Sequence, residues 1–169
     1  NRFADLYRGY STFLRVDPKT GRMNLKESFQ IELPPYTQDL ADAGKGVSYG
    51  YAFINSYNVE MATGGLAHGK PPLEVGASQL DFDFLHIVNW QKAEQVVAAG
   101  KFTELNGIRV IPLETAVAEG LLFLAPEPRS PHGVDIAPKG DYITVSGKLD
   151  PHATVYGFDA EGEESEGFT

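Results

Sequence analysis

No cysteine occurs anywhere in the chain, which excludes a disulfide framework and any thiolate metal site within it, and leaves the redox compartment undecided. Long apolar runs are missing too. The longest relevant one, LLFLAP at 121 to 126, falls far short of the roughly 20 residues needed to cross a bilayer and suits a buried strand, so a soluble chain is expected. Basic residues are few: 14 Lys and Arg stand against 23 Asp and Glu, giving a formal net charge of -9 and a pI near 4.8. Phosphates would be repelled, which argues against a nucleic-acid partner. There is no P-loop, no G-x-G-x-x-G after a strand, and no His-x-x-x-His or cysteine pair for zinc. Paired carboxylates occur, but without spacing or burial they carry little meaning.

What is present is mostly strand signal. TFLRVD at 12 to 17, the turn PKTGR and MNLKESFQIEL at 23 to 33 read as a hairpin, with alternation through Phe29, Ile31 and Leu33, ended by Pro34 and Pro35. GYAFINSYN at 50 to 58 and FDFLHIVNW at 82 to 90 are aromatic-rich apolar runs suited to buried strands. Between them, MATGGLAHGKPPLEVGASQ is too rich in Gly and Pro for regular structure and reads as a long loop, of the functional or mobile kind. Asn89 is placed to cap a helix at about 90 to 100, with Trp90, Ala93 and Val97 on one face and Gly100 as terminator. Asn106-Gly107 marks a two-residue hairpin turn between FTEL and IRVI.

The most informative stretch is SPHGVDIAPKGDYITVSGKLDPHATVY at 130 to 156. Three strands, GVDIA, YITVSG and ATVYGFD, follow one another with turn signals about every ten residues, as in a propeller blade. His132 stands at their head. Pro131 biases Ser130 toward an extended backbone, and Gly133 permits a close approach just after the imidazole, so the histidine sits on a constrained corner.

This corner, the extension GKLDP at 147 to 151 and the upstream run DFLHIVNWQKAEQVVAAGKFTELNGIRVIPL at 83 to 113 together resemble the central part of the nitrous oxide reductase family. DLADAGKGVSYGYAFINSYNVEMA at 39 to 62 and LAPEPRSPHGVD at 124 to 135 are similar to its branch from non-classical denitrifiers, and the likeness runs from about Phe13 to about Asp159. It implies an all-β fold, two to three blades of a seven-bladed β-propeller with a short helical insertion. Residues 1 to 169 would then be a partial propeller, without the family's C-terminal cupredoxin domain. The missing initiator methionine and signal peptide, and an end just beyond the acidic AEGEESEGF at 160 to 168, fit a piece of a longer chain.

The resemblance also implies cofactors, partners and place. The family's seven histidines hold a tetranuclear copper-sulfide cluster on the propeller axis, and His132 matches one of those ligand positions. The other histidines, His68, His86 and His152, match none and read as surface or structural residues. A calcium site is implied near the cluster through Tyr57, Glu60 and Asp83, with the backbone carbonyl of Ser130 where the family has an asparagine. The family's loop methionine has no counterpart, the nearest positions being Val75 to Ala77. Asp39 and Asp42 fall where the family has acidic residues close to the cluster. The implied enzyme reduces nitrous oxide in the periplasm as a homodimer that is not an integral membrane protein. A binuclear copper site in the missing domain, fed by a small electron-donor protein, a cytochrome c or a cupredoxin, would supply electrons. Two other readings remain open: a copper-free propeller used as a binding scaffold, and a lactonase-like propeller hydrolase, for which no axial cluster of acidic ligands is found. Six further histidines and a C-terminal cysteine pair in flanking sequence would separate the enzyme from both.

Overall fold

The computed structural model describes residues 9–33, 37–56 and 83–159. They are all-β in character, eleven strands in three sheets with two helices and no closed barrel, the make-up of a propeller fragment. Among the described residues no helix is long and apolar enough to cross a membrane. The chain divides into two compact units, Asn1–Pro35 with Asn89–Leu122 and Tyr36–Val88 with Phe123–Thr169, and only their described parts are considered.

In the first unit, β1 (Gly9–Val16) and β2 (Met23–Leu33) pair antiparallel as the alternation predicts. Asp17 closes their turn by accepting from the Lys19 N–H at 2.8 Å, the main cause of a carboxyl held below its usual range. Phe29, Ile31 and Leu33 are buried in alternation, and Phe13 stacks on Phe29 with ring centroids 5.2 Å apart. Strands β6 (Thr103–Leu105) and β7 (Ile108–Ile111) form the expected hairpin. Asn106 and Gly107 both take positive φ, 53° and 79°, as a type I′ turn requires. Sheet order is β1-β2-β7-β6, and β7 runs parallel to β2, which a plain meander would not do. The long crossover between them, which includes helix α1 (Trp90–Ala98), makes the parallel pairing possible. Asn89 caps α1 by accepting from the Lys92 N–H at 2.9 Å, and Gly100 ends it at φ 76°.

A second helix, α2 (Leu113–Ala118), corrects the expectation of a single helical interruption. It is one and a half turns long, too short to show a helical period, and the Glu32 side chain of β2 accepts its Leu113 N–H at 2.9 Å.

In the second unit, β3 (Thr37–Asp42), β4 (Tyr51–Ser56), β5 (Asp83–Asn89) and β8 (Leu122–Glu127) make one sheet in that order. β9 (Pro131–Ile136), β10 (Tyr142–Gly147) and β11 (Ala153–Gly157) make the antiparallel meander read from the sequence. β9 lies against β3 and β4. Phe53, Leu85, Ile87, Ala125, Val134, Ile143, Val145 and Tyr156 form the shared core. The LLFLAP run is a strand but not a fully buried one: Phe123 and Leu124 are each 51% exposed, because β8 is the outer strand of its sheet.

Two turns interlock at one end of this unit. Val47 N–H donates to Lys139 O at 3.0 Å, and a Cβ on Gly46, at φ 98°, would lie 2.2 Å from that same carbonyl oxygen. Gly21, at φ 67°, has open space around the same position. Gly21→Ala is therefore expected to cost about 1–2 kcal/mol for its backbone alone, whereas Gly46→Ala should add about 1–3 kcal/mol of steric displacement. Urea midpoints of the two variants check the ranking, and equal losses would show that the turns do not interlock.

Candidate functional site

The SPHG corner is clamped from below by backbone. Lys148 N–H donates to Ser130 O at 2.8 Å and Leu149 N–H to Arg129 O at 3.3 Å, across a register shift between Ser146 and Gly147. A Cβ on Gly147 would lie 2.2 Å from Arg129 O, so only glycine allows this approach, and one on Gly133 would lie 2.8 Å from Ser146 Oγ. Pro131 is buried and His132 is exposed, its ring carried outward by a corner that cannot easily move.

Ser130 departs from the extended form that the following proline favours. Its φ is 55°. The stronger constraint is Asp83, which is 1% exposed at the start of β5 and whose Oδ2 accepts the Ser130 N–H at 2.7 Å. A charge-assisted bond in a buried site outweighs a local backbone preference of this size. Two of the residues expected around a cation, Asp83 and Ser130, are thus brought together.

Further polar groups gather beside them. Glu127, at the end of β8, accepts the Ser56 N–H through Oε1 at 3.1 Å. Burial, foremost, pushes its carboxyl up to about 8; the Ser56 N–H pulls it down, and the negative charge of Asp83 adds to the rise. Tyr156 donates its hydroxyl to Pro126 O, and burial followed by the charge of Glu127 raises that phenol. His86 in β5 is 2% exposed, and burial lowers its ring to about 4. Ser56 Oγ donates to Phe84 O at 2.8 Å, so its contact of 2.9 Å with His86 Nε2 must receive the ring's proton. The imidazole is therefore neutral, with Nδ1 an acceptor that has no partner among the described residues.

The other residues singled out from the sequence stay apart. Tyr57, Glu60 and His68, and the long loop that holds His68, lie outside the described residues. Asp39 and Asp42 are exposed on β3, the strand against which β9 lies. His152 is exposed, with Nδ1 3.2 Å from Asp150 Oδ1. His86, expected to be a surface or structural residue, is buried in β5 beside Ser56. Among the described residues no three His, Cys, Asp or Glu side chains converge as a metal centre of those groups alone would need. Of the described histidines, His132 and His152 are exposed and His86 is buried. For a hard cation, the carboxyl oxygens of Asp83 and of Glu127 are the right chemistry, the latter once its proton is lost. Glu127, Asn55 and the His86–Ser56 pair were not singled out from sequence, although polar residues inside the apolar runs AFINS and FLHIV were a legible signal of buried polar work.

No known family profile matches the chain. A stretch of 115 residues, 64% of the chain, is 27% identical to the nitrous-oxide reductase of Pseudomonas fluorescens, and spans 16% of that protein's length. The likeness is distant and partial.

Two buried groups with opposite shifts imply a stability optimum between them. Glu127 holds its proton more tightly folded than unfolded, so its stabilising effect is full below about 4.5 and is lost as pH rises through about 8. His86 binds a proton less readily folded than unfolded, so stability is lost as pH falls from about 6.5 toward 4. In melting curves across pH, Glu127→Gln should flatten the alkaline limb and His86→Gln the acid one. A wild-type alkaline limb in Glu127→Gln would mean that Glu127 is ionised throughout.

Proposed function

We propose that the chain is a piece of the copper-bearing propeller of a nitrous oxide-reducing enzyme. The observation that carries this reading is the similarity over 115 residues to a nitrous-oxide reductase, whose span includes most of the chain. The all-β sheets and the His132 corner are compatible with it and support it. In this reading the complete protein reduces nitrous oxide with two electrons and two protons to dinitrogen and water. A copper-sulfide cluster would supply the electrons and bind the substrate. The chain's own part is to present one imidazole: a ring on a corner fixed by Pro131, the Gly147 approach and the Ser130–Asp83 bond loses little freedom when it takes a metal. The remaining imidazoles, the binuclear copper site, the homodimer, the small donor protein and the periplasmic location belong to the same proposal.

Calcium is the second part. Tyr57, Glu60 and Asp83 would hold it together with the carbonyl of Ser130. That carbonyl accepts the Lys148 N–H at 2.8 Å. The ion would fix the strand ends beneath the corner that carries His132. Asp39 and Asp42, on the neighbouring strand, would act on the cluster indirectly, through charge.

His132→Ala tests the copper assignment. Because His132 is exposed, its truncation should change stability by no more than about 0.5 kcal/mol. In the complete protein it should remove cluster copper and nearly all nitrous oxide reduction while the binuclear site stays filled. Copper per chain, measured beside a melting curve, is the check. Full cluster copper in the variant would refute the assignment and favour a copper-free propeller scaffold.

A further inference from the structure

The chain contains two Asp-Pro peptide bonds, Asp17–Pro18 and Asp150–Pro151, and the fold surrounds them differently. A bond of this kind is a weak point of a polypeptide in acid. Its nitrogen belongs to a tertiary amide without an N–H and leaves as a basic secondary amine, while the aspartate carboxyl can close a five-membered ring on its own main-chain carbonyl. How fast the bond breaks depends on how the carboxyl is held and on what gives the leaving nitrogen a proton.

At Asp17 the carboxyl is tied down by backbone. Its Oδ1 accepts the Lys19 N–H at 2.8 Å and the Thr20 N–H at 3.4 Å, and the turn PKTGR holds no imidazole. At Asp150 a histidine takes both parts. The backbone N–H of His152 donates to Asp150 Oδ1 at 3.3 Å, and its ring Nδ1 lies 3.2 Å from the same oxygen. One residue thus orients Oδ1 twice and leaves Oδ2 to attack. The bond is also held from both sides, between β10 and β11. Upstream, Asp150 N–H donates to Gly147 O at 3.4 Å and Leu149 N–H to Arg129 O at 3.3 Å; downstream, Ala153 pairs with Ser146 as the first residue of β11. Pro151 is exposed and the His152 side chain is 81% exposed, so water reaches the turn. The other charged groups there are Lys148, two residues before Asp150, and Arg129, whose Nη2 donates to Leu149 O at 3.5 Å. Lysine and arginine keep their charge throughout mild acid, which leaves the carboxyl and the imidazole as the pair that responds to it.

We propose that Asp150–Pro151 is a self-cleaving bond, opened in mild acid by the Asp150 carboxylate with His152 as the proton donor. Oδ2 attacks the Asp150 carbonyl carbon, the C–N bond to Pro151 breaks with its electron pair going to the proline nitrogen, and the imidazolium gives that nitrogen a proton. The products are a cyclic anhydride on Asp150 and a free Pro151 amine. One water then opens the anhydride to two carboxyl groups, and the proton released restores the imidazolium. Peptide and water have become acid and amine, with nothing oxidised or reduced. The nicked chain stays assembled, because β11 keeps its register with β10 from Tyr142↔Gly157 to Ser146↔Ala153 and Tyr156 stays in the core. Cleavage is therefore silent in the fold and visible only after denaturation.

The complete protein, kept folded at about pH 5.5, is sampled over time, denatured, and read by intact mass and N-terminal sequencing. A fragment beginning at Pro151 should accumulate at least roughly tenfold faster than one beginning at Pro18, and should form more slowly at about pH 8. His152→Ala should melt as wild type does and slow the cleavage by at least roughly tenfold. Asp150→Ala should stop it. Equal rates at the two Asp-Pro bonds, or no fragment beginning at Pro151, overturn the proposal. So does a wild-type rate in His152→Ala, or cleavage that survives Asp150→Ala, which marks a contaminating protease.

Discussion

The bond from the Ser130 N–H to the Asp83 carboxylate sets the geometry on which the candidate site depends. It is short, at 2.7 Å, and wholly buried. It joins the first residue of β5 to the residue before β9, and so fastens one sheet of the unit to the strand that leads the next. Its strength is visible in what it overrides, since a serine ahead of a proline is held at φ 55°. From that kink the backbone emerges with Pro131 pointing inward and His132 outward. The direction of the imidazole is thus decided by a carboxylate outside its own strand.

That carboxylate lies close enough to a second acid, Glu127, for its charge to be felt there. Glu127 answers the repulsion and the burial by keeping its proton to about 8, and Tyr156 is shifted in the same sense. His86, on the same strand as Asp83, gives up its proton instead of countering the charge, because burial opposes a charged ring. Its Nε2 proton is committed to Ser56, whose own hydroxyl is committed to Phe84 O. Polar groups at this end are therefore held by hydrogen bonds and by proton occupancy.

Much of the scaffold was legible from sequence because the information is local. The turn at Asp17, the cap at Asn89 and the I′ turn at Asn106-Gly107 each depend on side chains within three residues of where they act. The meander after His132 follows for the same reason. What escaped was determined at a distance. Helix α2 is capped by Glu32, about eighty residues earlier in the chain, and the kink at Ser130 by Asp83, 47 positions away. The parallel pairing of β7 with β2 and the exposure of Phe123 and Leu124 come from sheet order, which alternation within one strand does not encode. Of the candidate site, Asp83 and Ser130 were found and proved to be neighbours. Asn55 and Glu127 read as ordinary strand residues, because the burial of the one and the hydrogen bond of the other are supplied by neighbouring strands.

The interlocked turns bear on how such a chain can change over time. Gly46 fits against the Lys139 carbonyl, and a Cβ on Gly140 would meet Ser48 Oγ at 2.8 Å and the Val47 nitrogen at 3.0 Å, so each turn is the mould of the other. Surface turns ordinarily drift freely in length, since an added residue swings into solvent. Here the two segments, over ninety residues apart in the chain, touch through Gly46 and Gly140, and at those two contacts they are bound to change together.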